Sequence, residues 1–165
     1  MKEREARARK KLHRDRQIND VVHDPYQASS KPAEPAVCPQ CGVIYHKGRW
    51  QRAVRPEQAK EYLCPACHRV NDRNPAGYVT LTGPYLGANI DEILRLIRNE
   101  ETREAQGHPI QRIMEIENKD GVVTITTTDV HLARRIGDAV HAAFSGELVT
   151  KYSPDEYRVR VNWSR

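Results

Sequence analysis

The sequence predicts an α+β fold in two parts. A small cysteine-closed unit spans residues 37–76, and a domain with element order β-α-β-β-α-β-β spans residues 77–165. Three observations carry this. Two Cys-Pro-x-Cys pairs, Cys38/Cys41 and Cys64/Cys67, bracket a 22-residue span. Two stretches later in the chain place apolar residues at helical spacing. Short alternating segments flank them, two of which are joined through Asp120-Gly121, the turn pair that favours a tight hairpin.

In chain order, residues 1–20 form a basic arm with no apolar stripe to dock it. Residues 21–36 contain Pro25, Pro32 and Pro35 among small polar residues and read as an extended linker. After the cysteines, "NDRNPAG" marks a boundary. "YVTLTG" (78–83) then reads as a strand. A helix is predicted from Asn89, its cap, to Gly107, with Ile90, Ile93, Leu94 and Ile97 on one face. Residues 110–117 and 122–128 are predicted strands of a hairpin.

A second helix follows Thr128-Asp129, buries Leu132, Ala133, Ile136, Ala139, Val140, Ala143 and Phe144, and ends at Gly146. Residues 147–152 and 157–163 complete the set as strands. In the last, Tyr157, Val159, Val161 and Trp163 alternate with Arg158, Arg160 and Asn162. This order is a ferredoxin-like pattern with an extra strand, and it predicts both helices on one face of an antiparallel sheet.

The cysteines point to a metal. A tetrahedral site takes four thiolates with no position left open, so one structural Zn2+ on Cys38, Cys41, Cys64 and Cys67 is expected, in a zinc ribbon. A redox switch that releases the metal is the alternative. His46 and His68 read as surface histidines, since four cysteines suffice.

Charge separates the two parts. The 165 residues carry a formal charge of +5. Residues 1–20 hold eight Lys/Arg against four Asp/Glu, residues 21–76 eight against five, and residues 77–165 eleven against thirteen. A basic first half suggests a polyanionic partner, against the simpler reading of a solvated tail. Lys47, Arg49, Arg52, Arg55, Arg69 and Arg73 are expected to be displayed around the metal site, with Arg7, Arg9, Lys10 and Lys11 of the arm adding to them. Trp50 either stacks on a base or lids the ribbon, and Tyr45 shares that ambiguity.

Arg134 and Arg135, and Lys151, Arg158, Arg160 and Arg165, offer weaker basic candidates. Neither a Gly-rich phosphate loop nor a GxSxG element is present, and the Asp129/His131 and Asp138/His141 pairs read as helix-face residues, so no enzyme is expected. No apolar run reaches the length of a membrane span, and the N-terminus lacks the apolar centre of a secretory signal. A cytoplasmic monomer is expected.

"CPQCGVIYHKGRW" resembles the cysteine-rich region of the nonsense-mediated-decay-protein-three family, the large-ribosomal-subunit export adaptor of eukaryotes and its archaeal homologues. "DGVVTITTTDVHLARRIGDAVHAAFSGELV", with Asp120, Gly121, Thr127, Ala133 and Ile136, is similar to that family's globular part. The chain as a whole also resembles a group of small bacterial proteins sharing the cysteine pairs, Gly-Arg-Trp and a C-terminal Trp-Ser-Arg.

The resemblance covers roughly residues 37–163. It implies binding to the large ribosomal subunit through 23S ribosomal RNA near the tRNA sites, with ribosomal proteins as further partners, and a role in assembly, dormancy or quality control. The family usually has more cysteine pairs, an additional barrel domain and, in eukaryotes, a tail with export signals. Those parts have no counterpart here, and export is not carried over. The reading from another class is a protein-interaction or DNA-binding module in transcription or stress signalling.

Overall fold

The computed structural model describes residues 22–27 and 31–165, so the expected arm contacts of Arg7, Arg9, Lys10 and Lys11 lie outside the described residues. The first sheet joins β1 (Ala36–Val37), β2 (Ile44–His46), β3 (Arg49–Gln51) and β4 (Lys60–Glu61) in the order β3-β2-β1-β4. Helix α1 (Pro65–Asp72) follows. The 22-residue span between the cysteine pairs is therefore not a bare loop: three of these short strands lie within it, and Ile44 and Tyr45 are buried.

The second sheet joins β5 (Gly77–Thr82), β6 (Ile113–Lys119), β7 (Val122–Thr127), β8 (Glu147–Tyr152) and β9 (Val159–Ser164). Helices α2 (Pro84–Gly107) and α3 (Val130–Phe144) complete the β-α-β-β-α-β-β order. The β6–β7 hairpin turns through Asp120 and Gly121, both at positive φ (53° and 75°), the conformation that Asp-Gly favours. The sheet order is β6-β7-β5-β9-β8.

The extra strand departs from expectation. β9 enters the middle of the sheet and runs parallel to β5, so the sheet is mixed rather than antiparallel. Side-chain character explains the placement. Val159, Val161 and Trp163 of β9 are completely or almost completely buried, whereas β8 alternates exposed Glu147, Val149 and Lys151 with half-buried residues, which suits a sheet edge.

Ile93 and Ile97 of α2 and Leu132, Ala133, Ile136 and Val140 of α3 bury into one core with Val79, Leu81, Val123 and Ile125 of the sheet. Ala143, expected in the α3 stripe, is exposed. At Gly77 the backbone of β5 runs so close to α3 that a Cβ there would strike Thr127 Oγ1 and Ala133 Cβ. Helix α2 begins five residues before the expected cap. Pro84 opens it, and Asn89, at φ −128° and ψ 19°, forms a kink with its Nδ2 donating to the Tyr85 carbonyl (2.9 Å). Proline fits the first helical turn, which explains the early start. No helix among the described residues is long and apolar enough to cross a membrane.

Residues of the expected linker are folded onto the rest. Asp24 is 8% exposed, and its Oδ1 accepts from Arg69 Nη2 at 2.6 Å. The Tyr26 hydroxyl donates to Asp72 Oδ2 (2.9 Å) and accepts from Asn74 Nδ2 (3.0 Å). Further on, Ala36 is fully buried in β1. At Asp24 and Tyr26 the segment is not a free spacer, because both have partners on and just after α1.

Candidate metal centre

The Sγ atoms of Cys38, Cys41, Cys64 and Cys67 all lie within 4.8 Å of one another. The first pair sits on a tight turn, in which Cys38 N–H donates to the Val43 carbonyl and Gly42 N–H to the Cys38 carbonyl, both at 2.9 Å. Gly42 occupies φ +78°, which glycine adopts without steric cost. The second pair is built differently. Cys64 caps α1, Pro65 takes its first position, and Cys67 lies on the opening turn, its N–H donating to Cys64 Sγ (3.4 Å). The two Cys-Pro-x-Cys stretches are thus one turn and one helix start.

The spacing suits a metal ion. Four thiolates at about 2.3 Å from a central ion sit about 3.8 Å apart in a regular tetrahedron. Cys41 Sγ and Cys64 Sγ are 3.7 Å apart, far beyond disulfide length, and all four cysteines are free. Three of the four are buried, against Val43, Ala66, Trp50, Leu63 and Ile110. His46 and His68 are exposed; His68 pairs with Asp72 at 3.5 Å.

Backbone amides and one arginine address the sulfurs. Cys64 N–H donates to Cys38 Sγ at 3.4 Å. Burial opposes ionisation of Cys38, but amide hydrogen bonds from Cys64, Cys41 and Gln40 outweigh it and draw the thiol down to about 7. Burial pushes the Cys64 thiol up, and the neighbouring thiolates push the same way. Burial also raises Cys67, against the opposing pull of Arg112.

Arg112, in the segment between α2 and β6, donates through Nη2 to Cys67 Sγ (3.2 Å) and Cys64 Sγ (3.7 Å). Burial works against the charge of Arg112, but the hydrogen bond and attraction to Cys67 outweigh it, so the guanidinium is held protonated more firmly than usual. Four thiolates around a divalent ion carry a net charge of −2, and Arg112 places one positive charge against it. Thr128 holds this segment: its Oγ1 accepts from Arg112 N–H (2.9 Å) and donates to the Ile110 carbonyl (2.7 Å).

Sequence reading missed Arg112, because it lies 45 residues beyond Cys67 with no spacing rule to connect them. Arg112→Met is expected to weaken metal binding by roughly 10–100-fold, the usual effect of removing an outer-shell partner. Competition against a chromogenic chelator measures this. An unchanged affinity would make Arg112 a bystander.

The expected basic residues divide into two groups. Lys47, Arg49, Arg52, Arg55 and Arg73 are exposed. Lys47 and Gly48, both at positive φ (51° and 76°), form the β2–β3 turn, and their N–H groups donate to the Glu34 carboxylate at 2.8 and 2.9 Å. Arg49, Arg52 and Arg55 make no ion pair among the described residues.

Arg69 corrects the expectation. It is 2% exposed, bonded to Asp24 and to the Asn74 carbonyl (3.0 Å), and stacked 4.3 Å over the Tyr26 ring, so it is not displayed to a partner. Trp50 is half-buried, packed against the cysteine cluster and beside the rings of Tyr45 and Tyr62.

Arg134 and Arg135 are engaged by Asp138 (3.8 Å) and Glu104 (3.1 Å). Asp129 caps α3 by accepting from the His131 backbone N–H (2.7 Å), and its other oxygen accepts from the Tyr157 hydroxyl (3.2 Å). No protein family, curated protein or solved structure matches the chain.

Proposed function

We propose that the chain is a zinc-stabilised RNA-binding adaptor of the cytoplasm whose target is the large ribosomal subunit, met through 23S ribosomal RNA near the tRNA sites. One observation carries this reading: Arg49, Arg52 and Arg55 stand exposed and without ion pairs on and beside the hairpin that the four-cysteine cluster braces. A carboxylate-free stretch of arginine on a rigid base suits phosphate, which offers oxygens for paired guanidinium hydrogen bonds.

Zinc is the ion of choice because four thiolates in a closed tetrahedral set match its softness and geometry. It would be held by Cys38, Cys41, Cys64 and Cys67 and would serve structure alone. The resemblance of "CPQCGVIYHKGRW" and of the hairpin–helix stretch to a ribosomal-subunit adaptor family supports the choice of RNA.

The test is sedimentation of tagged native protein through sucrose gradients of cell lysate at low and high salt. Co-migration with the large subunit that is lost at high salt is expected, because each neutralised phosphate releases counterions. Arg49→Glu with Arg52→Glu should abolish co-migration at moderate salt. In filter binding to ribosomal RNA fragments, the same pair should reduce the slope of log affinity against log salt by about two. Protein confined to the top of every gradient would remove the ribosome from the reading and leave the interaction-module alternative.

A further inference from the structure

A cleft of about 440 Å3 runs between the four-cysteine unit and the larger domain. One wall is aromatic. Tyr45, Trp50 and Tyr62 are consecutive ring neighbours, with Trp50 5.2 Å from Tyr45 and 6.2 Å from Tyr62, the latter pair tilted by only 32°. The segment between α2 and β6 also lines it, through His108 and Ile110.

Lys31 and Arg49 also line the cleft, and neither has an ion-pair partner among the described residues. Asp129 is the one carboxylate in the lining, and its two oxygens are occupied by the His131 amide and the Tyr157 hydroxyl. These neutral donors leave Asp129 its charge, and with Lys31 and Arg49 against that one carboxylate the lining is net positive.

We infer that this cleft is a subsite for unpaired bases of single-stranded RNA, which stack on the Trp50–Tyr62 wall while Lys31 and Arg49 meet the flanking phosphates. The inference rests on the RNA reading above and narrows it. Stacking needs a free π-face, which a base inside a duplex has already given to its neighbours. A cleft of this volume is the size of a small-ligand site, so it admits a splayed base and excludes a double helix. Tyr62 is 37% exposed although it is a large aromatic residue, as a stacking platform requires. Aromatic surface beside unpaired cations is the combination that single-strand binders use.

The structure supplies its own reporter. Trp50 and Trp163 are the two tryptophans of the chain. Trp163 is 1% exposed, with Nε1 donating to the Ser145 carbonyl (2.6 Å), so a bound base can quench only Trp50. The full metal-loaded chain is titrated with six-nucleotide oligomers of uridine or adenosine and with a blunt-ended RNA duplex of about twelve base pairs, affinities being compared per phosphate.

The expected result is quenching by the single strands and at least tenfold weaker binding of the duplex. Tyr62→Ala should weaken single-strand binding by roughly five- to a hundredfold. That variant keeps all four cysteines, and full metal content with an unchanged circular dichroism spectrum verifies its fold. Equal affinity for duplex and single strand, or unchanged single-strand affinity in Tyr62→Ala, would overturn the cleft and leave RNA binding through the arginines intact. Failure to bind any RNA, together with absence from the large-subunit peak, would overturn the RNA reading and this subsite with it.

Discussion

Replacing Cys64 with serine is expected to abolish metal binding and to unfold residues 37–76. Cys64 does two things at once: its Sγ is one of the four clustered sulfurs, and by accepting from Cys67 N–H it caps α1. Binding of a structural metal to four thiolates contributes on the order of 10 kcal/mol to the folded state. The buried apolar set of this unit is small, chiefly Val37, Val43, Ile44, Tyr45 and Ala66 with parts of Trp50 and Leu63, and is too little to replace that term.

The larger domain has its own core under α2 and α3 and should keep its helices. Metal content by elemental analysis should fall from one equivalent to none. Limited proteolysis should then cut between residues 38 and 67 while leaving 77–165 protected. One full equivalent of metal in the variant would sink the four-cysteine site. Loss of metal with no new cleavage would show that the strands β1–β4 stand without it.

Asp24→Ala is expected to cost about 3–5 kcal/mol of stability, the usual loss when one member of a buried ion pair is removed. The side chains of Arg69 and Asp24 are only 3% and 6% exposed. With Asp24 gone, the Arg69 guanidinium would keep the Asn74 carbonyl and the Tyr26 ring but lose the only carboxylate it pairs with among the described residues. Its Nε already has no hydrogen-bond partner among the described residues.

Urea denaturation measures the loss. The double variant Asp24→Ala with Arg69→Met should recover most of it, because a buried thioether chain needs no counter-charge. A loss below about 1 kcal/mol in the single variant would show that water reaches Arg69 and that the pair is weakly coupled.

These two predictions rest on different kinds of information. The cysteine centre was legible because Cys-x-x-Cys spacing is a local constraint: two thiols two residues apart on a turn or a helix start can face one ion whatever the rest of the chain does. Element order was legible for a similar reason. The stripes ending in Ile97 and Phe144 repeat at helical period, Val159, Val161 and Trp163 alternate at strand period, and Asp120-Gly121 states its turn outright. The start of α2 was misplaced because Asn89 imitates a cap. Its amide does bond the backbone, but to Tyr85 behind it, at a kink rather than an end.

By itself, the sequence determined a cysteine-bound unit, a β-α-β-β-α-β-β domain, and a surplus of positive charge in the first half. Tertiary structure alone decided which arginines are available. Arg69 and Arg49 are indistinguishable as letters near a cysteine, yet one is sealed against Asp24 and the other is exposed. It also decided that β9 enters the sheet beside β5, and that Arg112 reaches Cys67. Periodicity and spacing act over a few residues, where backbone geometry sets what can face what. Strand neighbours, ion pairs and outer-shell donors join residues tens of positions apart, and only packing of the whole chain selects among the many partners each could have had.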